Sequence, residues 1–416
     1  MPTSKNILKT IGPGLLWAGA AVGVSHLVQS TRAGANYGFY FVGFLLLANF
    51  LKYPAFEFGP RYATATGQSL INGYRQLGRW AVALYWILTV STMFAIQGAV
   101  TIVTAGLVGN IFDIQLSINT IATIILLTTM TILVIGKYSV LDKLMKIIII
   151  SLSLTVIFAA LKGFSKGFHP NPQFLNSFDF SKTTDIAFLI AFVGWMPAPL
   201  DISIWSSLWS IAKHKDTGYK PKMKEALLDF NIGYIGTIIL ALAFLSLGAL
   251  VMYGTGESFS DKGIAFSGQL INMFTKSIGE WSYWIIGIAA LSTMFSTTMT
   301  CLDAYARVLP SATNIILDKS DKKDDGQISF LWMSIVVGGA LILLFYFASS
   351  MRFMVDLATT ISFVTAPFFA ILNYIVVTHK HMPKDAQPKL WLRLYAWVGI
   401  ISLSAFSIYY IIWRFV

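Results

Sequence analysis

Gly194-Trp195-Met196-Pro197-Ala198-Pro199 sits in the middle of an apolar run that extends from about 185 to 211. Each proline removes a backbone N–H and clashes with the preceding turn, so an α-helix does not pass straight through this stretch. The run is nevertheless long enough to cross a hydrocarbon core of roughly 30 Å. A span broken near its midpoint leaves carbonyl groups that need partners inside the bilayer, from neighbouring helices, water or a ligand. A second interruption lies upstream. Gly12-Pro13-Gly14 opens the first apolar run, and Gly19, Gly23, Ser25 and His26 disturb its centre. Two accounts of the pair are open. Each break is a packing kink, or the two mark inverted repeats of five spans, an arrangement that places a ligand between paired breaks near the midplane.

Working outward, the remaining sequence is of the same kind. Of the 416 residues, 56% are hydrophobic, 14% aromatic and only 12% charged, about half the roughly 25% charged residues of a soluble domain. Apolar runs fall at 10–37, 39–62, 81–110, 117–136, 144–162, 185–211, 226–253, 281–305, 329–350, 354–378 and 391–414. They are far too long for barrel strands. The pattern predicts an all-α integral membrane protein of about eleven transmembrane helices in one domain, 1–416. Its first repeat covers about 10–162, its second about 185–378, and an extra helix follows at about 391–414.

The net charge of +11 does not indicate nucleic acid, because the basic residues collect in alternate loops, as membrane topology requires. With the N-terminus inside, twenty Lys and Arg fall in inside segments, among them Lys5, Lys9, Lys137, Lys213, Arg307 and Lys319. Seven, from Lys162 to Arg414, fall opposite. This predicts a multi-pass protein of the cell membrane (a bacterial-type inner membrane) with a cytoplasmic N-terminus and the lipid bilayer as its principal partner. The mixed-charge stretch Asp318–Asp325 reads as a solvated loop tip. No cleavage site follows Lys5 and Lys9, so Leu15 onward is expected to be a retained span. Cys301 is the single cysteine, which excludes an internal disulfide or a cysteine-based metal cluster.

Ionisable side chains inside spans are functional candidates, because burying them in lipid is expensive. His26 lies at the first break and is a ligand, a proton-responsive group, or a partner for a freed carbonyl. Asp201 follows the second break by two residues. It either caps the next half-helix or restores a negative charge that pairs with His26 or a cationic substrate. Glu57 is four residues before Arg61 and five after Lys52, and Asp303 is four before Arg307; both acids read as structural i, i+4 partners. Arg32 either draws an anion inward or snorkels to the interface. The hydroxyls from Ser292 to Thr300 hold Na⁺ or pack helices together. Trp17, Trp195, Trp205 and Trp209 gather around the breaks as aromatic walls for an organic cation or as space-filling groups. With no Walker spacing, no His-Glu-x-x-His and no nucleophile beside a base, neither an enzyme nor an ATP-driven pump is expected, and no cofactor.

The order of several residues resembles the Nramp family of divalent metal transporters. The match runs through Gly12-Pro13-Gly14, Ala33-Gly34, Tyr37-Gly38, Asn49, Arg61 and Thr66-Gly67. Met196-Pro197 falls where the family carries Met-Pro-His, and weaker echoes follow at Ser296-Thr297-Thr298 and Pro367-Phe368. The resemblance implies a LeuT-type inverted-repeat core of ten spans plus an eleventh. It also implies alternating access and a cation as cargo, by family expectation a divalent metal ion.

The departures bear on that cargo. The family's first-span motif is Asp-Pro-Gly-Asn; this chain has Gly23-Val24-Ser25-His26. The sixth-span histidine is Ala198, the third-span proton carboxylates are Gln97 and Val100, and a tenth-span glutamine is Thr359. The expected substrate site is Gly23, Ser25, His26, Val193 (through its carbonyl), Met196 and Thr359 at positions set by the resemblance, with Asp201 added from its place beside the second break. His26 and Met196 are its metal ligands. Thioether and imidazole suit soft or borderline metals, whereas Mg²⁺ and Ca²⁺ want hard oxygens. An unpaired buried charge costs several kcal/mol, so the missing carboxylate also favours a scaffold repurposed for a small organic solute or an anion. Coupling to Na⁺ or H⁺ fits both readings. A membrane sensor without transport is the third.

Overall fold

The computed structural model describes residues 12–135, 138–318, 326–347 and 350–415, with backbone alone over 138–149 and 414–415. Lys5, Lys9, Lys137, Lys319, Lys322 and Lys323, and with them most of the expected loop tip after Asp318, lie outside the described residues.

The first span is two pieces. Helix α1, Pro13–Ala21, ends at Val22, and a π-helical turn at Ser25–Ser30 leads into α2, Thr31–Tyr37. Gly38, at φ 58°, turns the chain into α3, Phe41–Thr66. A short α4, Leu70–Leu77, precedes α5, Arg79–Ile111, α6, Ile118–Ile135, and α7, Tyr138–Ser165. The sixth span is again two pieces, α8 at Thr183–Trp195 and α9 at Ile202–Thr217. Then come α10, Met223–Val251, α11, Gly263–Ile278, and α12, Tyr283–Ile316. The last three are α13, Gly326–Phe347, α14, Met351–Thr378, and α15, Leu390–Phe415.

Eight helical stretches among the described residues are long and apolar enough to cross a membrane. The eleven expected spans reduce to these for physical reasons. The second half of span one runs on into span two as a single stretch, Ser25–Thr66, the halves of span six are each short, and span five counts only as the shorter apolar helix Ile150–Ser165. Span eight continues to Ile316, well past the expected end near 305, so Arg307 stands on the helix rather than in a loop. Two helices were not expected. In α11 the buried residues Phe266, Leu270, Ile271 and Phe274 repeat at helical spacing, an amphipathic pattern rather than an apolar run. The eight-residue α4 is too short to span.

The bundle interior is built around α5 and α12, which pack along each other, with α10 running beside α1 and α2 and α14 beside α8. Glycines allow the closest approach. A methyl group on Gly34 would stand 2.7 Å from the Ala249 nitrogen, and one on Gly248 would stand 2.9 Å from the Ala35 nitrogen. Small residues on both faces therefore bring α2 and α10 backbone to backbone, as membrane helices commonly do. Remote capping anchors the start of α1: Asp229 of α10 accepts the backbone N–H of Gly12 at 3.0 Å and of Gly14 at 2.6 Å. On the outside, Ile135, Phe345, Tyr346, Leu394 and Ile401 are exposed, the apolar surface of a multi-pass membrane protein.

The local ion pairs expected from spacing are present. Arg61 holds Glu57 at 2.6 Å, and Arg307 holds Asp303 at 2.7 Å. Arg32 is neither a snorkelling residue nor an open anion site. Buried on α2, it pairs with Asp356 of α14 at 2.8 Å and lies over the Phe188 ring.

Candidate functional site

Both breaks form where the residues dictate. Gly23 offers no side chain to hold the helical turn, and Val22 leaves the helical region at ψ 86°. In the sixth span the Met196–Pro197 bond is cis and the chain is non-helical until Ile202. Between the two breaks lies a cavity of about 20 Å³, room for a water or two. Ala21, Val24 and Ser25 come from span one, Ile96 and Val100 from span three, Trp195, Pro199 and Trp205 from span six, and Thr297 and Cys301 from span eight. Its polar side chains are the Ser25 and Thr297 hydroxyls, the Cys301 thiol and the Trp195 and Trp205 indoles, the last with its N–H unpartnered. No carboxylate lines it.

At the first break Ser25 Oγ donates to the Ala21 oxygen at 2.7 Å, while Thr297 Oγ1 donates to the Thr293 oxygen of its own helix at 2.9 Å and lies 3.4 Å from the oxygens of both Gly19 and Val22. A methyl on Gly23 would meet Thr297 at 2.9 Å, so the two spans touch at this glycine.

His26 faces away from span six. Its Nδ1 lies 2.8 Å from Ser25 Oγ, and its Nε2 lies 3.0 Å from the Thr237 carbonyl oxygen on α10. A carbonyl only accepts, so Nε2 carries the proton in a neutral ring. Nδ1 must then accept from the Ser25 hydroxyl, whose single hydrogen is also sought by the Ala21 oxygen. The Ala21 oxygen also accepts the Gly23 N–H at 3.0 Å, so the neutral ring leaves no partner stranded.

The remaining candidates are spread over the second break. Met196 is fully buried, packed with Phe41, Leu45, Phe188 and Phe192 on the side of the break towards Tyr37. No group of three or more metal-ligating His, Cys, Asp or Glu occurs among the described residues. Thr359 turns its hydroxyl to its own helix, 2.8 Å from the Val355 oxygen, while its backbone backs Gly194. Asp201 occupies the cap position of α9 without making a side-chain cap. Its Oδ2 is buried and unpartnered, as are the Tyr85 and Tyr305 hydroxyls, both electrostatic neighbours of that carboxylate. Gln97 donates to the Thr298 carbonyl oxygen at 3.2 Å.

Val193 holds the residue that sequence reasoning passed over. Lys52, fully buried in mid-α3, donates from Nζ to the Val193 oxygen at 2.6 Å and to the Gly194 oxygen at 2.8 Å. The available signal was a lysine inside an apolar span with no acid three or four residues away.

A membrane bundle whose first and sixth spans are both interrupted, with a cavity between the interruptions, is a LeuT-type transporter fold. The crystal structure of the Eremococcus coleocola manganese transporter matches with a TM-score of 0.71 at 15% identity, covering 98% of this chain and 87% of that one. MhsT in complex with L-phenylalanine matches with a TM-score of 0.62 at 14% identity, covering 95% and 96%. At such identities the likeness is one of fold alone.

This chain belongs to the Nramp family, natural resistance-associated macrophage protein-like, whose sequence profile matches residues 14–413. An uncharacterized protein of Pasteurella multocida is 36% identical over 408 residues, covering 96% of this chain and 91% of that protein. The divalent metal cation transporter MntH of Staphylococcus aureus is 21% identical over 433 residues, covering 99% and 92%.

Proposed function

We propose that this protein is a secondary transporter that moves a cation, a divalent metal ion by family expectation, by alternating access through the cavity between the two breaks. The observation that carries the reading is the cavity itself, bounded by spans one, three, six and eight between the two breaks. Such paired breaks are where inverted-repeat transporters hold their cargo. In this reading the two repeats cover about 10–162 and 185–378, and the N-terminus is cytoplasmic in the cell membrane.

Ser25, Thr297 and the Cys301 thiol are the groups a cargo meets in the closed cavity, with Gly23 packed against Thr297. His26, Met196, Asp201 and Thr359 lie outside its lining and come into play as the halves of spans one and six move, while the Val193 carbonyl is held by Lys52. A thiol and an imidazole favour a soft or borderline ion over Mg²⁺ or Ca²⁺. The ring of His26, held between Ser25 and the Thr237 carbonyl, is the group we assign to proton coupling. Thr297, near two freed carbonyls, is the alternative place for Na⁺.

A second reading is favoured by one observation, the absence of any carboxylate from the cavity lining. The same scaffold then moves a small organic solute or an anion. Uptake into proteoliposomes separates the two. Flux of Mn²⁺ or another divalent ion that falls in Ser25→Ala, His26→Ala and Met196→Ala supports the metal reading. Divalent uptake that all three variants leave unchanged sinks the proposed site. No divalent uptake at all, with or without proton and Na⁺ gradients, moves the assignment to a solute.

A further inference from the structure

The end of α8 is a place where a membrane helix stops short and leaves carbonyls pointing into the protein. The C-terminal end of a helix carries a partial negative charge. In broken-helix transporters such carbonyls ordinarily coordinate a mobile cation. Here they are already served. Lys52 Nζ reaches the Val193 oxygen at 2.6 Å and the Gly194 oxygen at 2.8 Å, the short distances of charge-assisted hydrogen bonds. No carboxylate pairs with Lys52 among the described residues. Glu57, five positions along α3, is held by Arg61. Lys52 itself is fully buried.

A buried amine costs stability unless something compensates it. The compensation here is two carbonyls at the negative end of a half-helix and nothing else. Apolar neighbours surround the contact: Leu51, Leu189, Ile190 and Phe363 line a groove beside Val193. A neutral side chain of the same length would pack in such surroundings without the desolvation cost, so packing alone does not account for a lysine.

We infer that Lys52 is a tethered cation: its ammonium fills the carbonyl site at the end of α8 that a free ion would otherwise occupy, so the sixth-span break is closed by the protein's own charge. Two consequences follow. The cargo is bound without the paired Val193 and Gly194 carbonyls. Span two is fastened to the outer half of span six, and the two move together when the site opens. The inference stands apart from the identity of the cargo, because it concerns an ion the protein never releases.

Chemical rescue tests it on the purified full-length protein, read as melting temperature. Lys52→Ala removes three carbons and the ammonium, the shape of n-propylammonium. That variant is expected to lose several degrees, and added n-propylammonium chloride is expected to restore most of the loss, while n-propanol, which has the same shape without the charge, restores little. Lys52→Met, which fills the space without charge, is expected to melt low and to ignore both additives. Wild-type stability in Lys52→Met, rescue that n-propanol matches, or a Lys52→Ala variant that n-propylammonium leaves unchanged overturns the inference. Should Lys52→Ala not purify, Lys52→Met is compared with Lys52→Arg, which keeps the charge; equal stability of those two also overturns it.

Discussion

Arg32 Nη1 lies 2.8 Å from Asp356 Oδ1 and 2.9 Å from Gln29 Oε1, and this one guanidinium ties span one to span ten on the Tyr37 side of the breaks. The arginine side chain is 5% exposed and the aspartate 32%. Removing the acid therefore leaves a buried charge without its partner. For Asp356→Ala we expect a loss of about 2 kcal/mol, less than a fully buried pair because the carboxylate is partly solvated. Arg32→Met/Asp356→Ala should cost less than the two single changes together. A double-mutant cycle on denaturation midpoints checks this, and strict additivity would refute the coupling.

His26 joins the first break to span seven through the Thr237 carbonyl oxygen at 3.0 Å. His26→Ala removes that hydrogen bond and opens a void, at an expected cost of roughly 1–3 kcal/mol. His26→Gln, which keeps a donor on a flexible stem, should recover part of the loss. Thermal melts of the three proteins decide. If Gln and Ala are equally destabilised, the hydrogen bond to Thr237 is not what holds the break.

Asp229 accepts both the Gly12 and Gly14 N–H groups, so one carboxylate on span seven caps the start of span one. Asp229→Ala should lower stability by about 1–2 kcal/mol, the range for losing a helix cap. Asp229→Asn should lose less, since its amide oxygen still accepts. Hydrogen exchange at Gly14 to Trp17 is the local readout, and protection there unchanged in Asp229→Ala would count against the cap.

Gly248 sits where α10 meets α2, with the Ala35 nitrogen 2.9 Å from where a methyl group would stand. Gly248→Ala must push two backbones apart, and overpacking of this kind typically costs ~1–3 kcal/mol. Gly43 has nothing within 4 Å, so Gly43→Ala serves as the control and should change stability little. Equal melting temperatures for the two variants would show that α2 and α10 have room to separate.

What was legible from residue order was whatever is decided locally. Span boundaries follow from continuous apolar runs, the two breaks from Gly23 and from Pro197 and Pro199, and the Glu57–Arg61 and Asp303–Arg307 pairs from a spacing of one helical turn. The amphipathic α11 escaped because its apolar residues are periodic rather than consecutive. Among the site candidates, residue order located the breaks but not which way each side chain turns. Ser25 faces the cavity and its neighbour His26 faces span seven, a difference set by helical phase at a π turn.

The sequence by itself determined that this chain is a membrane bundle with interrupted first and sixth spans, because glycine, proline and apolar length act over a few residues of backbone. Only the tertiary structure decided what meets at the interruptions. Lys52 reaches Val193 across 141 positions, Asp229 reaches Gly12 across 217, and Arg32 reaches Asp356 across 324. Each of these contacts depends on the depth and rotation of two helices at once. Those are fixed by how the whole bundle packs, and no local pattern encodes them. The freed carbonyls could be foreseen at Pro197; that a lysine from span two would close them could not.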